Sequence, residues 1–184
     1  MTIDEARQLM HEWTQSESLR HHMECVAACM GAYADKYERA QRDRWIIAGL
    51  LHDMDYERHP TREEHPFRGV EHLRQRGDVD EEIINAILGH AEYSGVPRET
   101  MMAKCLFAVD ELAGFIVACC KVRPNGIADL QPKSVKKKLK DKAFAAGVSR
   151  EDINTGITEL GVDPTEHIQS CIDALRAEAK RLML

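Results

Sequence analysis

Several common features are missing from this chain of 184 residues, and each absence excludes something. There is no excess of positive charge: 25 Lys and Arg stand against 31 Asp and Glu, a net charge of −6. Such a balance gives no bulk attraction to nucleic acid or to an anionic membrane surface. A long apolar run is also missing. The longest, Cys105 to Cys120, is interrupted by Asp110-Glu111 and Gly114 and is too short to span a bilayer. The opening residues, Met1-Thr2-Ile3-Asp4-Glu5, have neither the basic start nor the apolar core of a signal peptide. Among six cysteines no Cys-x-x-Cys pair occurs, and Cys25/Cys29 and Cys119/Cys120 fall in helical patterns where a disulfide would be badly strained. A reduced, cytoplasmic protein is the expectation. β-Branched alternation is almost absent, which argues against sheets.

What is present is helical periodicity. Leu19, His22, Val26, Cys29/Met30 and Tyr33 recur at intervals of three and four. Trp45, Ile46, Leu50 and Leu51 mark a second helix running into His52-Asp53. The polar stretch from Asp55 to Glu64 reads as a loop. Thr61-x-x-Glu64 resembles a capping box, but a helix begun there would put Pro66 against the carbonyl of Arg62, so the next helix is expected to start at Pro66 and stop near Gly77. Asp80 is a plausible cap for a helix burying Ile83, Ile84, Ile87 and Leu88. An apolar helix follows over 98–121, then a turn at Arg123-Pro124-Asn125-Gly126. A lysine-rich helix from about Ser134, a short one near Ser149 and a last one opened by Pro164 complete the chain. The pattern predicts an all-α bundle of about seven to nine helices, one domain over 1–184, without repeats or a separating linker.

Five polar residues interrupt these apolar stripes. His22 lies on the Leu19–Val26 stripe, and His52-Asp53 ends the buried face of the Trp45 helix. His90 continues the line of Ile83 and Ile87, and Asp110 falls inside the most apolar helix. A lone buried carboxylate costs several kcal/mol, roughly, unless it is paired or binds a metal. Singly, each histidine has an ordinary reading as a satisfied core residue. Together, coming from different helices, they read as a site for a divalent or trivalent ion, because neutral imidazole and carboxylate both offer lone pairs.

The ordered set His22, His52-Asp53 and Asp110 resembles the H…HD…D metal-binding signature of the HD superfamily of metal-dependent phosphohydrolases. The contexts Leu19-Arg-His-His22-Met-Glu-Cys-Val26, Gly49-Leu-Leu-His52-Asp53 and Ala108-Val-Asp110-Glu-Leu are similar too. His22 rather than His21 is the match, standing four residues before Val26. His65-Pro-Phe-Arg-Gly69 and Ile87-Leu-Gly-His90 resemble segments of HD proteins that carry two further histidines. The likeness covers about 17–120, leaving a C-terminal helical extension over about 121–184. With Val122-Arg-Pro124, Ser134-Val-Lys-Lys-Lys and Lys142-Ala-Phe-Ala-Ala-Gly-Val148 it extends to a subfamily of small predicted HD hydrolases.

That resemblance implies one ion held by His22, His52, Asp53 and Asp110 and a second by His65 and His90, with Asp53 bridging and positioning the nucleophile. A water acidified by both ions would attack a phosphate ester or anhydride of a small nucleotide-like or sugar-like metabolite. The donor set does not distinguish Mn, Fe, Co, Ni, Mg and Zn. Two other classes share these residues: an HD-fold diiron oxygenase and a non-catalytic metal-bearing regulatory module. The Ile-Gly-Lys that follows the dyad in some HD groups is replaced by Met54, Asp55 and Tyr56. Tyr56 is a candidate for contacting substrate, and Asp55 for holding a ligand histidine. Arg123 and the lysines Lys136, Lys137 and Lys140 are further candidates for binding a small anionic substrate. No nucleic-acid or membrane partner is expected, and the oligomeric state stays open. His11, His59, His72 and His167 lie on polar stretches and are expected to be exposed, and Glu111 is expected to turn away from the ion beside Asp110.

Overall fold

A computed structural model describes residues 1–184. It contains ten α-helices and no strand: α1 (Ile3–Trp13), α2 (Glu17–Tyr37), α3 (Arg42–Leu51), α4 (Phe67–Arg76), α5 (Glu81–His90), α6 (Met101–Lys121), α7 (Pro132–Leu139), α8 (Arg150–Leu160), α9 (Pro164–Ala177) and α10 (Ala179–Leu182). The all-α expectation holds. The count exceeds seven to nine through α1 and the four-residue α10. The start of α1 carries a full capping box, Thr2 with Glu5, and buries Ala6, Leu9 and Met10.

Local chemistry explains most boundaries. The Asp80 carboxylate accepts from the Ile83 N–H at 3.2 Å and opens α5. Ser16, Thr100 and Ser149 cap α2, α6 and α8 in the same way. Thr61 does not start a helix. Its hydroxyl donates to Glu64 within a turn, and α4 begins at Phe67 behind Pro66. Gly77 ends α4 at φ +72°, a conformation that costs glycine little.

The centre of the molecule is α6, packed against α2, α5, α8 and α9. Its apolar surface fills the core rather than facing outward. Forty-nine buried residues form one continuous cluster, which takes in Leu130, Val135, Ile153 and Ile168 from the C-terminal part. All six cysteines are buried free thiols. Two glycines set how closely helices approach beside the candidate site. A Cβ on Gly49 of α3 would lie 2.7 Å from the Ala27 Cα of α2, and one on Gly156 of α8 would lie 2.6 Å from the Ala108 Cα of α6. No helix is long and apolar enough to cross a membrane.

Candidate metal centre

Six side chains converge where α2, α3, α5 and α6 meet. His22 comes from the second turn of α2 and Asp110 from the middle of α6. His52-Asp53 follows the last residue of α3, where the chain leaves the helix and both side chains can face one point. His90 is the last residue of α5, and His65 ends the loop before α4. The His22 Nε2 stands 2.9 Å from Asp110 Oδ1 and 3.8 Å from Asp53 Oδ2. The His52 Nε2 lies 3.4 Å from Asp110 Oδ1 and 3.6 Å from Asp53 Oδ2. The other oxygen of Asp53 faces elsewhere: Oδ1 is 3.4 Å from His65 Nε2 and 3.3 Å from His90 Nε2. Asp53 thus divides its two oxygens between two histidine sets.

Hydrogen bonds at the far side of three rings settle their tautomers. The His52 Nδ1–H donates to the Gly49 carbonyl at 2.8 Å, the His65 Nδ1–H to Asp55 Oδ1 at 2.7 Å, and the His90 Nδ1–H to the Ile87 carbonyl. In the neutral form each Nε2 then bears a lone pair directed into the centre. His65 Nε2 and His90 Nε2 are 3.3 Å apart, two lone pairs with no proton of their own between them. The fully buried His52 Nε2 has no hydrogen-bond partner. Leaving such a group unmade is costly in a protein interior, and a cation between these nitrogens and the carboxylates removes the cost. The donor set fits a borderline divalent ion.

Charge leads to the same place. Burial works against the His52 imidazolium, yet Asp53 and Asp110 outweigh it and push the group up to about 9. Burial also opposes ionisation of Asp53 and Asp110, but His52 and its neighbours hold both carboxyls well below the usual range. A proton on His52 supplies the positive charge that two close carboxylates demand.

A family model for the HD domain matches residues 19–114, just over half of the chain, and encloses all six of these residues. The chain belongs to the HD domain family. No curated protein and no solved structure matches it. HD domains bind divalent metal ions, and the His/Asp cluster of this HD domain is compatible with such a site.

Above the cluster a cavity of about 760 Å³ opens, lined by the HD domain and, beyond residue 114, by Val148, Ser149, Glu151 and Asp152. Tyr56 lines it, half-exposed, with its ring 5.1 Å from that of His65. Asp55 lies beneath, 1% exposed, and besides holding His65 its Oδ2 accepts from the Gly69 N–H at 2.6 Å. Glu111 turns toward the cavity rather than into solvent, its Oε2 accepting from the Ser149 N–H at 3.1 Å. Burial and the neighbouring Asp110 raise its carboxyl to about 7.

The expected anion-binding residues are not brought to this cavity. Arg123 pairs with Asp129 at 2.7 Å and lines a second hollow beyond His22 and Gly114. The lysines on and just after α7 lie away from the cavity because Val135 and Leu139 dock that helix on α6 and α9. Lys136 donates to the Thr165 hydroxyl, and Lys137 and Lys140 are exposed. The cavity instead holds Arg62, from the loop before His65, a residue that no local pattern singled out.

Of the four histidines expected to be exposed, three are not. His167 is 1% exposed, not on the surface: its Nε2–H donates to the Ala108 carbonyl at 2.9 Å, and the Tyr33 hydroxyl donates to its Nδ1. Its pattern misleads because the polar residues before it cap α9, whereas its own side chain faces α2 and α6. His59 and His72 are half-buried near Trp13, and only His11 is exposed. His21 points at the Leu182 carbonyl, away from the cluster.

Proposed function

We propose that the protein is a metal-dependent phosphohydrolase cleaving a phosphate ester or anhydride of a small nucleotide-like or sugar-like metabolite. His22, His52, Asp53 and Asp110 would hold one ion, and His65, His90 and the shared Asp53 a second. The division of the Asp53 oxygens between two histidine sets carries the reading. Two cations a few ångströms apart repel each other, and a carboxylate facing both offsets that repulsion. When bound, the ions would supply a water acidic enough to act as nucleophile near neutral pH and a Lewis-acid hold on the phosphoryl oxygens.

The chain's own residues complete the arrangement. Asp55 fixes the His65 ring so that its Nε2, not its Nδ1, faces the centre. Tyr56, 45% exposed at the cavity wall, offers a hydroxyl to a phosphoryl oxygen. The cavity above admits a metabolite-sized molecule and leaves the reacting group next to the ligands.

The test is metal content together with phosphate release from p-nitrophenyl phosphate and a sugar-phosphate panel under Mn²⁺, Co²⁺, Ni²⁺ and Mg²⁺, for wild type and Asp53→Asn. Wild type should bind metal and release phosphate only with it; the folded variant should lose both. A variant that keeps full metal content and activity would overturn the reading. So would two irons per chain with turnover that consumes oxygen.

A further inference from the structure

Of the fifteen arginines in the sequence, Arg62 alone makes neither a hydrogen bond nor a salt bridge. It lines the cavity above the metal centre and is the only Lys or Arg to do so. Its guanidinium lies 5.3 Å from the centroid of the Tyr93 ring, and Tyr93, 42% exposed, lines the same wall. Chain position ties this pair to the centre. Arg62 precedes His65 by three residues, and Tyr93 follows His90 by three. The ring face attracts the guanidinium and limits its wandering while leaving its N–H fork free.

Apart from Arg62 and the histidines, the charged residues of the lining are all acidic. Glu92, Glu111, Glu151 and Asp152 border the cavity, and none has a cationic side chain within 4.0 Å. Such a lining repels a second anionic group and accepts hydrogen bonds from hydroxyl or ammonium groups.

We propose that Arg62, held on Tyr93, is the anion clamp of this cavity, and that the substrate is a monophosphate ester with a donor-bearing body and no second anionic group. The proposal rests on the phosphohydrolase reading and narrows its substrate class. The planar fork matches two oxygens of a phosphate bidentately, and the carboxylate lining receives the body of the molecule. Polyphosphates and phosphorylated acids are disfavoured, because their extra charge shares the cavity with the unpaired carboxylates of Glu92, Glu151 and Asp152.

Calorimetric titration of the Mn²⁺-loaded protein tests the clamp with inorganic phosphate as the probe. Arg62→Ala should weaken phosphate binding about tenfold, the lower end for a charge-assisted hydrogen bond, and Arg62→Lys should restore part of it. Glucosamine 6-phosphate, glucose 6-phosphate and 6-phosphogluconate test the substrate class. The first two should bind at least about tenfold more tightly than the third, and Glu151→Gln with Asp152→Asn should shrink that gap. A preference for glucosamine 6-phosphate over glucose 6-phosphate identifies ammonium as the favoured donor; equal binding identifies hydroxyls. Unchanged phosphate affinity in Arg62→Ala, or equal binding of 6-phosphogluconate, overturns the proposal. The binding readouts separate it from the phosphohydrolase reading, which fails instead if no phosphate ester is turned over with any metal.

Discussion

Asp55 offers the sharpest perturbation, because each of its oxygens has one identified task. Oδ1 receives the His65 Nδ1–H at 2.7 Å and Oδ2 receives the Gly69 N–H at 2.6 Å, both in the interior. Asp55→Ala leaves two buried donors without an acceptor. At roughly 1–3 kcal/mol each, the loss is about 2–6 kcal/mol, a large share of a small protein's stability. Asp55→Asn is more informative because it keeps the shape. An amide has a single acceptor oxygen, and the Gly69 N–H is fixed by the start of α4, so that oxygen stays with Gly69. The amide NH₂ then faces His65 Nδ1, which must accept, and the imidazole proton moves to Nε2. That nitrogen lies 3.4 Å from Asp53 Oδ1 and 3.3 Å from His90 Nε2, and protonated it no longer offers a lone pair to an ion. Metal affinity at the His65/His90 half should fall about 10- to 100-fold, while the His22/His52/Asp110 half is spared. Long-range ¹H–¹⁵N spectra of the metal-free variant report the His65 tautomer, and competition with a chromophoric chelator reports affinity. An Nδ1–H tautomer in Asp55→Asn together with wild-type affinity would refute the reasoning.

Four further outcomes follow from the same geometry. In the metal-free protein His52 holds its proton up to about pH 9, and an ion must displace it; apparent metal affinity should therefore rise about tenfold per pH unit from 7 to 9 and then flatten, and a chelator titration showing no slope would contradict this. By the same linkage, the stabilisation from charged His52 is complete below its ordinary value of 6.5 and lost as pH rises through about 9, so chemical denaturation of metal-free protein should show stability falling over that window. Joint replacement of Lys136, Lys137 and Lys140 by alanine should leave KM for a turned-over phosphate ester unchanged, since none lines the cavity; a clear rise in KM would place the α7 lysines at the substrate. Gly49→Ala should lower stability by about 1–3 kcal/mol, read as a lower Tm, because its Cβ would meet the Ala27 backbone at 2.7–2.8 Å.

The helices and the six clustered residues were legible in the chain for one reason. A helix repeats its buried face every three or four positions, so a His or Asp on that face is visible as an exception. His22, His90 and Asp110 are such exceptions, and His52-Asp53 stands where an apolar stripe gives way to a loop. His65 lacks that signal and was legible only through the resemblance of His65-Pro-Phe-Arg-Gly69 to HD proteins. Asp55 was readable as a candidate, but not that its two oxygens serve His65 and Gly69.

Periodicity says nothing about what one helix presents to a distant one. His167 has polar neighbours in sequence, yet Tyr33 and Ala108, more than fifty residues away, enclose it. Arg123 and the α7 lysines carry the charge a phosphate needs, and so does Arg62; the chain alone gives no reason to choose among them. Docking of α7 through Val135 and Leu139 turns one group of cations away. The loop between α3 and α4 brings Arg62 beside Tyr93 and over the cluster.

By itself, then, the sequence determined an all-helical chain with histidines and aspartates on its buried faces, because those properties depend on neighbours within a turn or two. Only the tertiary structure decided that Asp53 faces two histidine sets, that Asp55 fixes a ring, and that one unpaired arginine shares a cavity with unpaired carboxylates. Each of these depends on distances of a few ångströms between residues beyond one another's helical turn, and the packing of the helices with the loop between α3 and α4 sets those distances.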